Sequence, residues 1–321
     1  MSEKLLSVNI DADAVVEQYE KEHAVSSREK TEFSPKNYLQ ARLTPGETSK
    51  TLTIRLLPFS SEGGTPFKKV YIHTVKVNKE LSPGGWKTFV CPVKNDSNET
   101  GVTDKRCPFC ETSQKAKELK ENASTEAEQK KYGDIEYMNR PKAAWIVRCI
   151  ERGHEDDGVK FWLFNDSAKK DGVYDKIMNI YRQRKEAAER KGKTSNIFDV
   201  NDGKDLIISL SKDVNNKTVT KVVDDEDKSP LTNDYELGMS WINDSKKWTS
   251  VYTPKSYDYM AIALQDGVPT YDKASGKYVD KAELIKQTQE ENEKQFTEKP
   301  IDYSTSKSQS SIDNDDVELP F

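Results

Sequence analysis

The sequence predicts an α+β chain built on a small antiparallel barrel, with polar extensions at both ends. Three observations lead there. Short runs with period-two alternation, bounded by turn residues, outnumber convincing helical stripes. Long polar insertions separate those runs. Hydrophobic residues make up only 34% of the 321 positions and charged residues 33%, against roughly 45–50% and 25% in an average domain, so the chain supports one modest core. No apolar run approaches the ~18–20 residues needed to cross a bilayer, and Met1–Leu6 lacks the basic and apolar regions of a secretory signal. Four cysteines are too few for a disulfide framework and point to a reducing, intracellular setting.

Taken in order, residues 11–22 read as a short helix capped by Asp11 or Asp13, with Val15, Val16 and Tyr19 as its stripe. Residues 50–58 alternate and stop at Pro58, which marks a strand; 61–64 (Ser-Glu-Gly-Gly) form a turn. Along 67–77, Val70, Ile72 and Thr74 face one way and Tyr71, His73 and Val75 the other. Pro83-Gly84-Gly85 turns the chain into a third strand over 86–90. Residues 112–131 are helical by composition but carry little apolar stripe. Strands follow at 143–150 and 159–164, joined through Arg152–Gly158. Residues 174–191 predict a helix with Ile177, Ile180 and Tyr181 inward and Gly192 as its stop. Strands at 206–210 and 217–223 pair across Asn215-Asn216, short helices are expected at 256–264 and 281–295, and disorder is expected from Thr297 onward. The expected organisation is an acidic N-terminal arm (1–40), a core (41–265), a polar helical extension (266–300) and an acidic tail (301–321).

The net charge of −5 conceals an uneven distribution. Residues 1–32 and 301–321 each carry −4, residues 266–300 carry −2, and the middle, 33–265, carries +5. A locally positive surface is what a polyanion meets, whatever the whole-chain sum.

His73, Cys91, Cys107 and Cys110 form the pattern His-x17-Cys-x15-Cys-x2-Cys. One imidazole and three thiolates make a closed tetrahedral set for structural Zn2+, and Cys107-Pro108-Phe109-Cys110 brings two sulfurs together as a knuckle. Residues 94–105 contain almost nothing to bury, so metal binding supplies the order that burial cannot, on the order of 10 kcal/mol. The zinc-binding segment spans about 73–135. Cys-Pro-Phe-Cys also resembles a thiol redox motif, but such a motif opens a helix directly after the first strand of a βαβ unit, whereas here it follows a polar loop. A deaminase needs His-x-Glu and Pro-Cys-x-x-Cys, which this sequence lacks. Cys149, within an apolar strand, reads as core, and His154 as surface.

Aromatic and basic side chains interleave as they do where bases stack and phosphates are neutralised: Arg55, Lys68, Lys69, Tyr71, Trp86, then Lys131, Tyr132, Tyr137, Arg140, Lys142, Trp145 and Arg148. Trp145, inside Ala-Ala-Trp-Ile-Val, reads equally as core. The chain closes with acids (Asp313, Asp315, Asp316, Glu318) running into Leu319-Pro320-Phe321, a terminal ring and carboxylate suited to a partner's pocket.

That tip resembles the C-terminal peptide of bacterial single-stranded DNA-binding proteins. Thr53-Ile54-Arg55-Leu56-Leu57-Pro58, the His73, Cys91, Cys107 and Cys110 set, Trp145-Ile146-Val147 after Arg140 and Lys142, and Lys160–Phe164 followed by Tyr174-Asp175-Lys176-Ile177 resemble the single-stranded DNA-binding (helix-destabilising) proteins of T-even-type phages over about residues 40–215. The resemblance implies an OB-fold core with an inserted zinc subdomain, a groove for DNA between them, and action in the host cytoplasm. The basic N-terminal arm that supports cooperativity in that family has an acidic counterpart here. The combined expectation is a non-enzymatic protein that coats single-stranded DNA in phage replication, recombination and repair. It is expected to act as a monomer or with weak self-association along DNA, and to recruit replication and recombination proteins through its tail. The alternatives are a zinc or thiol enzyme using Cys107 and Cys110, and an RNA-binding module.

Overall fold

Ser49–Leu57 (β1) alternates in its first half and is buried on both faces in its second, because the strand changes partners along its length. Residues 49–54 pair antiparallel with Leu206–Lys212 (β6), and residues 54–57 pair antiparallel with Lys142–Glu151 (β4). The computed structural model that shows this describes residues 37–44, 46–59 and 64–297. The expected helix over 11–22, most of the N-terminal arm and the C-terminal tail, with Asp313 through Phe321, lie outside the described residues.

Phe67–Lys76 (β2) pairs with Trp86–Val90 (β3) on one side and with the first half of β4 on the other, while Lys160–Asn165 (β5) lies along the opposite edge of β4. Thr218–Asp224 (β7) completes the order β3-β2-β4-β1-β6-β7, with β5 branching from β4. Every pairing between these strands is antiparallel. The sheet curls into a half-barrel, and among the described residues its ladder does not close. The expected barrel is thus an open one, since β3, β5 and β7 remain edges.

Both faces of this sheet are covered, for different reasons. On one, Leu52, Ile54, Leu56, Phe67, Val147, Cys149, Trp162, Phe164, Leu206 and Ile208 meet Ile177 of Val173–Glu189 (α4). On the other, Val70, Ile72, Ala144, Ile146 and Phe161 lie under Trp248, and Leu57, Ile150 and Val159 lie under Leu231 and Trp241. The segment carrying these covers, with the helix Tyr235–Ile242 (α5) capped by the Asp234 side chain, had no assigned role in the sequence. It straps the second face, and fully burying one large apolar side chain contributes about 1.5–3 kcal/mol.

The insertion between β3 and β4 is helical. Ser97–Thr100 (α1) is a single turn, and the helix expected over 112–131 is two helices, Pro108–Glu121 (α2) and Glu126–Asn139 (α3). They break at Thr125, whose hydroxyl accepts from Glu128 N at 3.2 Å. The Thr-x-x-Glu spacing of a capping box marks the break. Tyr257–Leu264 (α6) packs on α2. Beyond it, Pro269–Asp272 (β8) and Lys277–Asp280 (β9) form a hairpin that leads into Lys281–Thr297 (α7).

The junction of β1, β4 and β6 is held by charge. Arg55, 1% exposed, donates from Nε to Asp205 Oδ1 at 2.7 Å and from Nη2 to Ser229 O at 2.6 Å. Arg152 donates from Nε to the other Asp205 oxygen at 2.9 Å. Gly203 is required beside it: a Cβ there would lie 2.1 Å from Asp199 O and 2.5 Å from Arg55 Nη1. At the same end of β6, Arg184 of α4 grips Asp224 of β7 at 2.6 Å. Burial pulls the Asp224 carboxyl up, but Arg184 and Lys204 outweigh it and hold it below the ordinary range.

Removing one partner of a buried ion pair costs about 3–5 kcal/mol because the other is left uncompensated. Asp205→Ala is therefore expected to lower stability by about that much in urea unfolding, with Arg55 stranded. For Asp224, a lowered carboxyl contributes stability that is present above its unfolded pKa and lost as the pH falls through the folded one. Asp224→Asn is expected to destabilise at pH 7 and to match the parent near pH 2, measured by urea midpoints across that range.

Candidate metal centre and nucleic-acid interface

His73 sits on β2 beside Phe89 of β3, and Cys91 follows β3 directly. Its backbone N–H donates to Tyr71 O at 3.0 Å, which extends the ladder by one step. Asn95 locks this corner: its amide donates to Tyr71 O (2.7 Å) and Cys91 O (2.8 Å), and its carbonyl accepts from Tyr71 N (2.9 Å). Cys107 is the N-cap of α2, Pro108 occupies the first turn, and Cys110 follows one turn in. The four ligand atoms lie within 4.8 Å of one another.

The individual distances fit a tetrahedron. Cys107 Sγ and Cys110 Sγ are 3.4 and 3.7 Å from His73 Nε2, and Cys91 Sγ is 3.6 Å from Cys110 Sγ. Bonds of ~2.3 Å to sulfur and ~2.0 Å to nitrogen give edges of about 3.8 and 3.5 Å in such a polyhedron. His73, Cys91 and Cys107 are fully enclosed and Cys110 partly so. His73 Nδ1 donates to Asn139 O at 2.8 Å, the outer hydrogen bond that fixes the tautomer and aims Nε2 at a metal. Among the protein groups themselves, hydrogen bonds from Cys107 and Cys110 draw the Cys91 thiol far down, while Cys107 and Cys91 drive Cys110 far up. Burial lowers His73, but Cys107 and Cys91 outweigh it and raise it to about 9. The four residues are compatible with a metal site.

Phe109 and Asn139 escaped the sequence reading. Phe109 is fully buried, with its ring centroid 5.2 Å from that of His73 and 5.1 Å from that of Phe89. It is the apolar plug of the knuckle, flanked on the far side by Tyr259, Met260 and Ala263. Cys-Pro-Phe-Cys does open a helix, but within an antiparallel sheet and with Cys91 and His73 in contact.

The expected nucleic-acid residues divide among four places. Tyr137, Arg140 and Lys142 meet at the end of α3, where the Tyr137 ring is 54% exposed and has Arg140 Cζ at 4.6 Å and Lys142 Nζ at 4.8 Å from its centroid. Lys131 lies over Tyr132 on the same helix at 5.6 Å. Lys69, Tyr71 and Trp145 share one face of the β2–β4 ladder, continuous with His73. Trp145 is half-buried and stacked on Tyr174 of α4 at 4.1 Å, with Lys69 5.5 Å above it, so one of its faces is already occupied from within. Lys68 and Trp86 belong to the opposite face, where Lys68 pairs with Glu99 at 2.5 Å and Trp86 is 49% exposed. Arg148 is buried on that opposite face. Arg55 is a correction: its guanidinium is spent on Asp205 and Ser229 inside the fold and meets no solvent. Tyr174 was missed because nothing in the sequence ties it to Trp145, 29 positions earlier.

Cys107→Ser is expected to reduce bound metal from one equivalent per chain and to lose helical circular dichroism from α2 and α3, because ligation and helix start at the same residue. Full helicity with no metal bound would contradict this.

The gp32 DNA binding protein like family model matches residues 49–265, about two thirds of the chain. A comparison with curated proteins finds no match. The matched segment contains β1 through α6, and with them all four candidate ligands and the Tyr137, Arg140 and Lys142 corner. The chain belongs to the gp32-like family of DNA-binding proteins.

Proposed function

We propose that this protein binds single-stranded DNA with little sequence preference and coats it during phage replication, recombination and repair in the host cytoplasm, as a non-enzymatic monomer or with weak self-association. The observation that carries the reading is the exposed Tyr137 ring flanked by Arg140 and Lys142. A planar ring beside two cations offers a stacking surface for a base and counter-charge for the phosphates on either side. Both elements are general to nucleic acids, so affinity follows from charge and stacking rather than from base edges. Membership of the DNA-binding family supports the same reading.

His73, Cys91, Cys107 and Cys110 would hold the metal, proposed as Zn2+, whose charge would neutralise the thiolates. This chain's own residues pass the geometry of the cluster on. His73 holds Asn139 O through Nδ1, and Asn139 lies between Tyr137 and Arg140, so the imidazole sets the position of the binding corner against β2. In this reading residues 73–135 act as a zinc subdomain on an OB-like core. The acids from Asp313 to Glu318 compete with DNA for basic surface, and Leu319-Pro320-Phe321 serves replication partners.

Stacking contributes roughly 1–3 kcal/mol per base. Tyr137→Ala is therefore expected to weaken binding to a dT oligonucleotide by about that amount without changing the melting temperature. Binding of the parent should fall steeply with salt, and deleting 301–321 should tighten it. The reading is tested by salt-titrated fluorescence binding curves with oligo-dT and oligo-U. No binding to either at low ionic strength would overturn it.

A further inference from the structure

Lys87 lies on β3 opposite Val75 of β2 and is half-buried. Its Nζ donates to the hydroxyl of Tyr259 on α6 at 3.3 Å and lies 5.8 Å from the centre of that ring. The Lys255 ammonium lies 5.4 Å from the same centre. Two cations thus converge on one buried phenol. The phenol offers no negative charge, because burial, with the Tyr278 ring beside it, pushes its pKa above the ordinary tyrosine value. Tyr252, the other titratable group at this place, is also pushed up, by burial first. Among the described residues no carboxylate pairs with Lys87. Burial and then the Lys255 charge push its pKa below the usual lysine value. An amine that is both desolvated and set beside another cation is a nucleophile at a pH where ordinary lysines are still protonated.

Lys87 opens onto a cleft of about 310 Å³ at the edge of β3, where the chain passes from the strap into α6. Ile72, Val90, Leu163 and Val251 give the cleft an apolar bed. The Thr88, Ser250 and Thr253 side chains add hydroxyls, Lys255 adds its ammonium, and no Asp or Glu lines it among the described residues. A small apolar bed, hydroxyls and a second cation therefore surround one activated amine.

We propose that Lys87 is a modification site, whose Nζ is acylated by a small acyl phosphate. The proposal depends neither on strand binding nor on the metal. The amine lone pair attacks the carbonyl carbon and forms a C–N bond. The C–O bond to phosphorus's oxygen breaks, inorganic phosphate leaves with that electron pair, and one amine proton passes to water. Nothing is oxidised or reduced. The apolar bed suits a short acyl chain, and Lys255 attracts the anionic donor. The product is a neutral amide, so acylation also ends the repulsion between the two lysines.

The test uses the full metal-bound chain with acetyl phosphate as the donor. Acetylation at each lysine is followed by peptide mass spectrometry between about pH 7 and pH 10, the range over which ordinary lysines gain their neutral form. Lys87 is expected to react several-fold faster at the neutral end than exposed lysines such as Lys117 and Lys277, and its rate is expected to level off at a lower pH. Lys255→Ala is expected to raise that pH and to slow Lys87 at the neutral end, whereas Lys255→Arg keeps the neighbouring charge and the parent behaviour. In urea the advantage of Lys87 is expected to disappear. A Lys87 that reacts no faster than the exposed lysines, that ignores Lys255→Ala, or that keeps its advantage in urea overturns the proposal.

Discussion

The imidazole of His73 has two nitrogens, and they serve different parts of the molecule. Nε2 faces three sulfurs at tetrahedral distances, and Nδ1 holds the last carbonyl of α3. The ring sits on β2, where His73 pairs in register with Phe89 of β3, and it lies tilted at 36° to Phe109 with ring centroids 5.2 Å apart. Sheet, sulfur cluster and helical hairpin therefore share one rigid group. α3 alone lacks the means to hold this position. α3 buries none of its side chains, and helices without a buried face owe little of their order to packing. What α3 lacks in burial is made up by its tie to His73, the Ser113 hydroxyl bond to Glu136 O, and the short turn to α2, which begins at a sulfur ligand.

The same strand separates two chemistries by alternation. Lys69, Tyr71 and His73 point to the face that leads to the His73 and cysteine cluster, and Lys68, Val70 and Ile72 point to the face strapped by Trp248. Consecutive lysines at 68 and 69 thus serve opposite sides of the sheet. One sits over Trp145, and the other borders an open cleft with a buried guanidinium. The net acidity of the whole chain says little about either surface, because the acids are concentrated at its ends and because several in the core are consumed by Arg55, Arg152, Arg184 and Lys160.

Two of the three arginines that the sequence grouped with the binding surface show how alike interior and exterior arginines look in one dimension. Arg55 and Arg148 each lie in alternating apolar strands. Arg55 is matched by a carboxylate, Asp205, 150 residues away, and becomes a structural joint. Arg148 meets only carbonyls and keeps an unused donor. Nothing local distinguishes them.

Local pattern determined the strands of the half-barrel (though not the β8–β9 hairpin), the candidate metal-ligand set and the direction of each side chain along β2, because period-two alternation, turn residues and a closely spaced Cys-x-x-Cys are properties of neighbours in the chain. Even the break between α2 and α3 was written in Thr125 and Glu128, although composition alone had merged the two helices. Tertiary structure alone decided that the half-barrel stays open, that residues 231–252 form a strap over its second face, and that Trp145 spends one face on Tyr174. These outcomes depend on which distant surfaces meet and on how much apolar area each covers, and no window of sequence contains both partners.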